Sequence, residues 1–550
     1  MARYVKVANA AEAGAIAAIV YNIAGDPIVM NGVSGLSDIP AVMIGQADGN
    51  LILAEIDAGN LVTVLLDKDL FLTESDTGNV MGSFSARGPG PVPDILKPDV
   101  TAPGINILAG FTPDAANAAP GENFAYLTGT SMSTPHVAGV AALLLQAHPD
   151  WSPSAIKSAL MTTAHQSLTG SDGVTAAVPF DYGAGHIVPN DSVYPGLVYD
   201  VSSDDYDAFA CGIISPGVTQ ERCDELGAAG YSFAGADLNQ PSIAIERLTN
   251  ERTVSRSVTN VSDQSASYVA TVIAPAGIGV NVVPASITVS PGQTATFDVT
   301  FSFESGPLDL WRFGSLTWSD GTHSVYSTIA IRPISVTAPA QVTDFGADGS
   351  LSFPVEFGYT GAYTAGVHGL RLPLVLNGFV DNDPSKTFSF RSDNGVTMHL
   401  IDVPVDEVYL RFSLFDTLTD GDDDLDMYVY YCPDNINCTK LGDSGEASSQ
   451  EEFNVLLPAA GRYAVLIHGF ETDQVSGGPG ANYSLLGWSF GLVDDQGNMT
   501  ASGPTFVNAG TTENVTVAWT GLLPDTIYLG GISHNTPQGL SAITVIRIGN

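Results

Sequence analysis

One stretch constrains this chain more than any other: Gly129-Thr130-Ser131-Met132-Ser133-Thr134-Pro135-His136. It sets a serine among small residues, directly ahead of an apolar run from Val137 to His148 made of good helix formers. A proline near the first turn suits a helix start, because the N–H it lacks would be unpaired there anyway. The pattern predicts a helix from Pro135 to His148. Val137, Val140, Leu143, Leu144 and Leu145 put apolar groups on most of its faces, so it is expected to be buried. A serine at the head of such a helix lies beside free N–H groups and the positive end of the dipole. An attacking oxygen and a developing oxyanion can both be stabilised there, which makes Ser131 the candidate nucleophile.

Further motifs flank it in order. Upstream stand Gly82-Ser83-Phe84-Ser85-Ala86-Arg87-Gly88-Pro89 and the run Lys97 to Ala109; downstream stand Phe180 to Ile187 and Pro195 to Asp200. Together they closely resemble the subtilisin-like serine proteases, the subtilases. The resemblance implies a secreted serine endopeptidase that cleaves protein or peptide substrates through an acyl-enzyme on Ser131. It also implies an Asp, a His and an oxyanion Asn upstream of the serine. No histidine precedes Ser131 here; the first is His136, which the family's nucleophile motif includes as a structural residue. Asp76-Thr77-Gly78 is the only look-alike of the Asp motif, and it reads as a polar turn. Asn50 and Asn79 each follow a glycine but lack the context of the oxyanion Asn. Residues Met1 to Asn22 resemble the middle of a protease-associated domain, which larger subtilases insert between the catalytic His and Ser. The expectation is the C-terminal part of a longer protease, with base, orienter and oxyanion Asn encoded upstream. By itself such a chain should be nearly inert, since a serine hydroxyl needs a base to take its proton.

The expected fold class is multidomain: α/β parts, namely a protease-associated remnant and a partial subtilisin-like catalytic domain, followed by all-β sandwich domains. Residues 1–70 form the remnant, with short strands at Ala41 to Ile44 and Leu61 to Leu66. Residues 72–205 form the C-terminal part of the catalytic domain, where Ser152-Pro153 opens a second helix. Residues 235–335 alternate with period two, as at Phe297, Val299, Phe301 and Phe303, and resemble a fibronectin type III-like sandwich. Leu316 to Trp318, the turn at Gly321 and Val325 to Ile331 read as a hairpin. Residues 340–500 resemble the jelly-roll-like C-terminal domains of secreted bacterial proteases. Residues 500–550 are either closing strands of that domain or a small sandwich of their own.

A length of 550 residues calls for several cores. The net charge of −40 comes from 19 Lys and Arg against 59 Asp and Glu, which leaves no basic stripe for nucleic acid. No apolar run is long enough to span a bilayer. None of the four cysteines forms a CxxC pair; Cys211–Cys223 with Cys432–Cys438 is the simplest disulfide pairing, against reduced thiols. No other cofactor is implied, but the aspartates from Asp420 to Asp426 are a candidate calcium loop. Their spacing fails the EF-hand rule, and a solvated acidic turn leading into a strand at Leu425 and Met427 is the alternative. Oligomeric state is left open. A competing, non-catalytic function is a β-domain module that binds substrate or a surface.

Overall fold

Alternation decides most of this architecture. In Thr294–Phe303 the aromatic and branched residues at 297, 299 and 301 fall on one face, and all three are buried. The computed structural model describes residues 3–22, 39–66, 78–112, 123–213, 217–390, 395–433, 437–473, 480–491, 496–524 and 526–549. They fall into two units, Met1–Pro333 and Ile334–Asn550.

The first unit opens with helix α1 (Arg3–Glu12), strand β1 (Ala18–Tyr21), strand β2 (Ala41–Ile44) and helix α2 (Gln46–Asp57). The two strands pair in parallel. Leu61 to Leu66 does not form the expected strand: it has no pairing partner among the described residues, and Leu61 and Leu65 are exposed. Apolar composition without a neighbouring edge to bond leaves the backbone groups to water. Asp76 and Thr77 lie outside the described residues.

Strands β3 (Ile107–Gly110) and β4 (Phe124–Leu127) form an antiparallel hairpin that leads straight into helix α3 (Thr130–Ala147). Helix α4 (Pro153–Thr162) follows; its Ser152 cap accepts from the Ala155 N–H at 2.9 Å, as the Ser-Pro signature predicts. Burial of Ile156, Leu160 and Met161 fixes its inner face.

A two-residue strand, β5 (Leu197–Val198), then joins a β-sandwich well downstream of it. The sandwich strands are β6 (Ile243–Leu248), β7 (Glu251–Asn260), β8 (Ala266–Ile273), β9 (Ile278–Val283), β10 (Ser286–Val289), β11 (Thr294–Phe303), β12 (Arg312–Ser319) and β13 (Ser324–Pro333). One sheet runs β10-β8-β12-β13-β6, the other β5-β7-β11-β9. The predicted hairpin is β12 paired with β13. Phe297, Val299, Phe301, Leu316, Trp318, Ile329 and Tyr199 meet between the sheets, and Tyr199 also bonds Ser327 Oγ at 2.9 Å.

The described residues of the second unit form four four-stranded sheets. Leu374–Val380, Ala481–Gly491, Glu407–Ser413 and Glu452–Leu456 form one; Val396–Val403, Gly461–Glu471, Asp424–Tyr431 and Thr439–Ser444 form its mate. Leu410, Phe412, Leu414, Leu425, Met427, Val429, Tyr463, Val465 and Ile467 fill the space between them. Thr511–Trp519 pairs with Gly349–Phe357, and Gly539–Ile548 with Gln341–Asp344. The last fifty residues therefore close a second sandwich with residues 336–371, and the sandwich of residues 374–491 stands between its halves in sequence. Both disulfides are formed, Cys211–Cys223 and Cys432–Cys438. No described helix is long and apolar enough to cross a membrane.

Candidate active site

The serine is carried by a helix that begins five residues earlier than the proline signal suggests, at Thr130 instead of Pro135. Ser131 is thus the second helical residue, in the turn whose N–H groups have no partner within the helix. Gly129 caps it with an extended backbone and no side-chain bond, and its carbonyl accepts from Met132 N at 3.0 Å. Pro135 stands inside the helix and cannot donate to the carbonyl four residues back, that of Ser131 itself.

Backbone and hydroxyl bonds hold the turn in place. Gly129 N donates to Gly104 O at 2.9 Å and Ser133 Oγ to Ala102 O at 2.9 Å. The approach is close: a Cβ on Gly104 would lie 2.3 Å from Ser133 Oγ and 3.0 Å from Gly129 O. Thr128 Oγ1 accepts from Asn106 N at 2.9 Å, bracing the strand that leads into the helix. The run from Lys97 is braced in turn. Asp99 receives Lys97 Nζ at 2.7 Å and Lys157 Nζ, from α4, at 2.9 Å. Burial pushes the Asp99 carboxyl upward, but the two ammonium groups outweigh it and hold it below the usual carboxylate range.

The helix is less buried than its composition predicts. Leu144 is 1% exposed and packs with Ile156, Leu160 and Ile187, whereas Leu143 is 63% and Leu145 48% exposed. Only one of its apolar faces is covered among the described residues.

No described residue bonds the Ser131 hydroxyl. His136 turns back onto its own helix, with Nδ1 2.8 Å from Met132 O. Behind it lies a group that sequence reading did not single out: His186, 5.4 Å between ring centroids from His165 and 3.4 Å from Thr101 Oγ1. Burial, then His165 and His136, depress the His186 pKa. These histidines meet through backbone bridges between residues 165 and 186 and between 101 and 186, a juxtaposition with no local sequence signal.

Known proteins supply the context. Residues 10–185 match the profile described as "Subtilase family", and residues 237–331 the one described as "Fibronectin type-III domain". The Subtilisin-like protease SBT3.11 of Arabidopsis thaliana is 37% identical over 312 residues, covering 54% of this chain and 40% of that protein. SBT3.9 of the same plant is 40% identical over 285 residues, covering 50% of this chain and 37% of that protein. The Subtilisin-like protease Glyma18g48580 of Glycine max is 41% identical over 274 residues, covering 46% and 34%. The aligned part of this chain thus spans about 40% or less of the length of these relatives. A serine on the first turn of a helix, the flanking segments and the β-sandwich behind them agree with these matches: residues 10–185 carry a subtilase-family match and residues 237–331 a fibronectin type-III one.

Proposed function

We propose that Ser131 is the nucleophile of a subtilisin-like serine endopeptidase acting on proteins outside the cell. The observation that carries this reading is the position of Ser131 on the first turn of α3, behind a glycine cap that places no side chain over the helix N-terminus. In that reaction Ser131 Oγ bonds to the scissile carbonyl carbon while its proton passes to a base. The carbonyl oxygen takes the negative charge and is held by the N–H of Ser131. The C–N bond then breaks, the amine leaves with the proton, and water releases the acyl group from the serine.

Three roles in this reaction, the base, its orienter and a second oxyanion donor, have no residue at the family's place in this sequence. No histidine precedes Ser131, and His136 is engaged with Met132 O. We therefore read residues 72–205 as the part of a catalytic domain that brings the nucleophile but not the base, the orienter or a second oxyanion donor. The exposed side of α3, at Leu143 and Leu145, is consistent with that reading. Residues 1–70 we assign to a protease-associated insert, on the helix–strand pattern of α1 and β1 and the parallel pairing of β1 with β2. Two formed disulfides support an oxidising, extracellular setting.

A fluorophosphonate probe tests the reading. The chain alone should remain unlabelled, because losing base and orienter costs several orders of magnitude in rate. An adduct on Ser131 that vanishes in Ser131→Ala would place a working base within the chain. An adduct on another serine would overturn the choice of nucleophile.

A further inference from the structure

Negative charge is concentrated at one end of the sandwich of residues 374–491, where Asp424–Tyr431 begins and Gly461–Glu471 ends. Asp423 is the informative residue there. It is 4% exposed, so more than nine-tenths of it is out of water. Its Oδ1 accepts from Asp473 N at 2.8 Å, and its backbone carbonyl accepts from Ser449 Oγ at 2.8 Å. Its Oδ2 has no hydrogen-bond partner among the described residues. A buried carboxylate oxygen left unpaired is costly, and native proteins rarely keep one without a ligand or a proton on it.

A second carboxylate faces the same point. A Cβ on Gly421 would lie 3.1 Å from both carboxylate oxygens of Asp423 and 2.5 Å from Asp473 Oδ1. The backbone of Gly421 therefore leaves a small space that two carboxylates border. Asp420 stands beside them, its own carboxylate accepting from Asn482 N at 2.7 Å and Asn482 Nδ2 at 2.6 Å. The nearby positive groups are committed elsewhere: Lys386 pairs with Glu471 at 2.7 Å, and His468 sits between Asp383 and Asp426.

We propose that this end of the sandwich binds one calcium ion, with Asp423 and Asp473 as its side-chain anchors. The donor set selects the ion. No three carboxylate, histidine or cysteine side chains converge on one point among the described residues, which disfavours zinc and other metals that need converging nitrogen or sulfur. Calcium takes six to eight oxygens in a flexible shell and accepts backbone carbonyls and water beside two carboxylates. Magnesium demands a tighter octahedron and gives up its water reluctantly. A proton bound to the Asp423 carboxyl is the rival explanation.

Isothermal titration of the full chain with CaCl2 at neutral pH, repeated with MgCl2, separates the two. One calcium should bind with a dissociation constant of about 10⁻⁵ to 10⁻³ M, and magnesium more weakly. Asp423→Asn should weaken calcium roughly tenfold or more; Asp473→Asn should do the same and carries the decision if the first variant does not fold. No heat up to about 10 mM calcium overturns the proposal in favour of protonated carboxyls. So does binding that neither variant changes.

Discussion

His534 makes the second unit acid-sensitive by a calculable amount. It is fully buried on Tyr528–Thr536, with Nδ1 2.6 Å from the Tyr363 hydroxyl and Nε2 2.9 Å from Thr544 Oγ1. Phe353 and Tyr363 stand against the ring. No carboxylate is among its partners, so burial alone pushes its pKa down to about 4. In the unfolded chain the same group titrates near 6.5. Folded His534 thus binds its proton more weakly than unfolded His534, and acid favours the unfolded state. Its contribution is full above about pH 6.5, falls as pH drops, and is lost below about pH 4. A shift of about 2.5 units, at 1.36 kcal/mol per unit, makes the loss about 3 kcal/mol. His534→Gln keeps a donor and an acceptor but removes the titration. Calorimetry of both proteins at pH 7.5 and pH 4.5 isolates the term, because every other titrating group cancels in the difference. Wild type should lose about 2–3 kcal/mol more than the variant over that range. Equal losses would show that protonated His534 is accommodated in the fold and would refute the reasoning.

Other substitutions probe the remaining claims. Trp318→Ala empties the centre of the fibronectin type-III sandwich and should cost about 3–5 kcal/mol by denaturant unfolding. Gly104→Ala drives a methyl group onto Ser133 Oγ and Gly129 O, and should cost about 1–3 kcal/mol while shifting the first turn of α3, read as faster amide exchange around residues 129–133. Ser152→Ala removes the cap that accepts from Ala155 N and should destabilise α4 by about 1 kcal/mol, read by the same denaturant assay. Replacing Cys211 and Cys223 by serine opens a loop spanning 12 residues and should cost about 3 kcal/mol or less, read as a lower thermal midpoint.

Local periodicity was readable and long-range pairing was not. Phe297, Val299 and Phe301 declare a half-buried strand by their spacing alone, and the turn at Gly321 declares its hairpin. Leu197 and Val198 give no such sign: two apolar residues become a strand only because Thr259 and Asn260 of β7 meet them. The same holds for Gly539–Ile548, whose parallel neighbour Gln341–Asp344 lies just over two hundred residues upstream. Leu61 to Leu66 errs the other way, apolar without an edge to pair. In α3 the proline signal misplaced the start, because Pro135 is tolerated once the carbonyl of Ser131 gives up its helical bond. For the site, the serine and its helix were legible in one motif. The clamp of Lys97 and Lys157 on Asp99 was not, nor the approach of His165 to His186, since both depend on segments brought together by the fold.

The central claim is that Ser131 occupies a place where helix N–H groups stabilise an anion, and a thiol there measures it directly. All four cysteines are paired, so Ser131→Cys would introduce the one free thiol. The rate of its alkylation by iodoacetamide, followed against pH without reductant, reports the thiolate fraction. The ordinary thiol midpoint is about 8.5, and a helix N-terminus lowers it. A midpoint below about 8 is the expected result. A midpoint at about 8.5 or above would mean that the first turn of α3 offers no such stabilisation, and Ser131 would lose its claim to be the nucleophile.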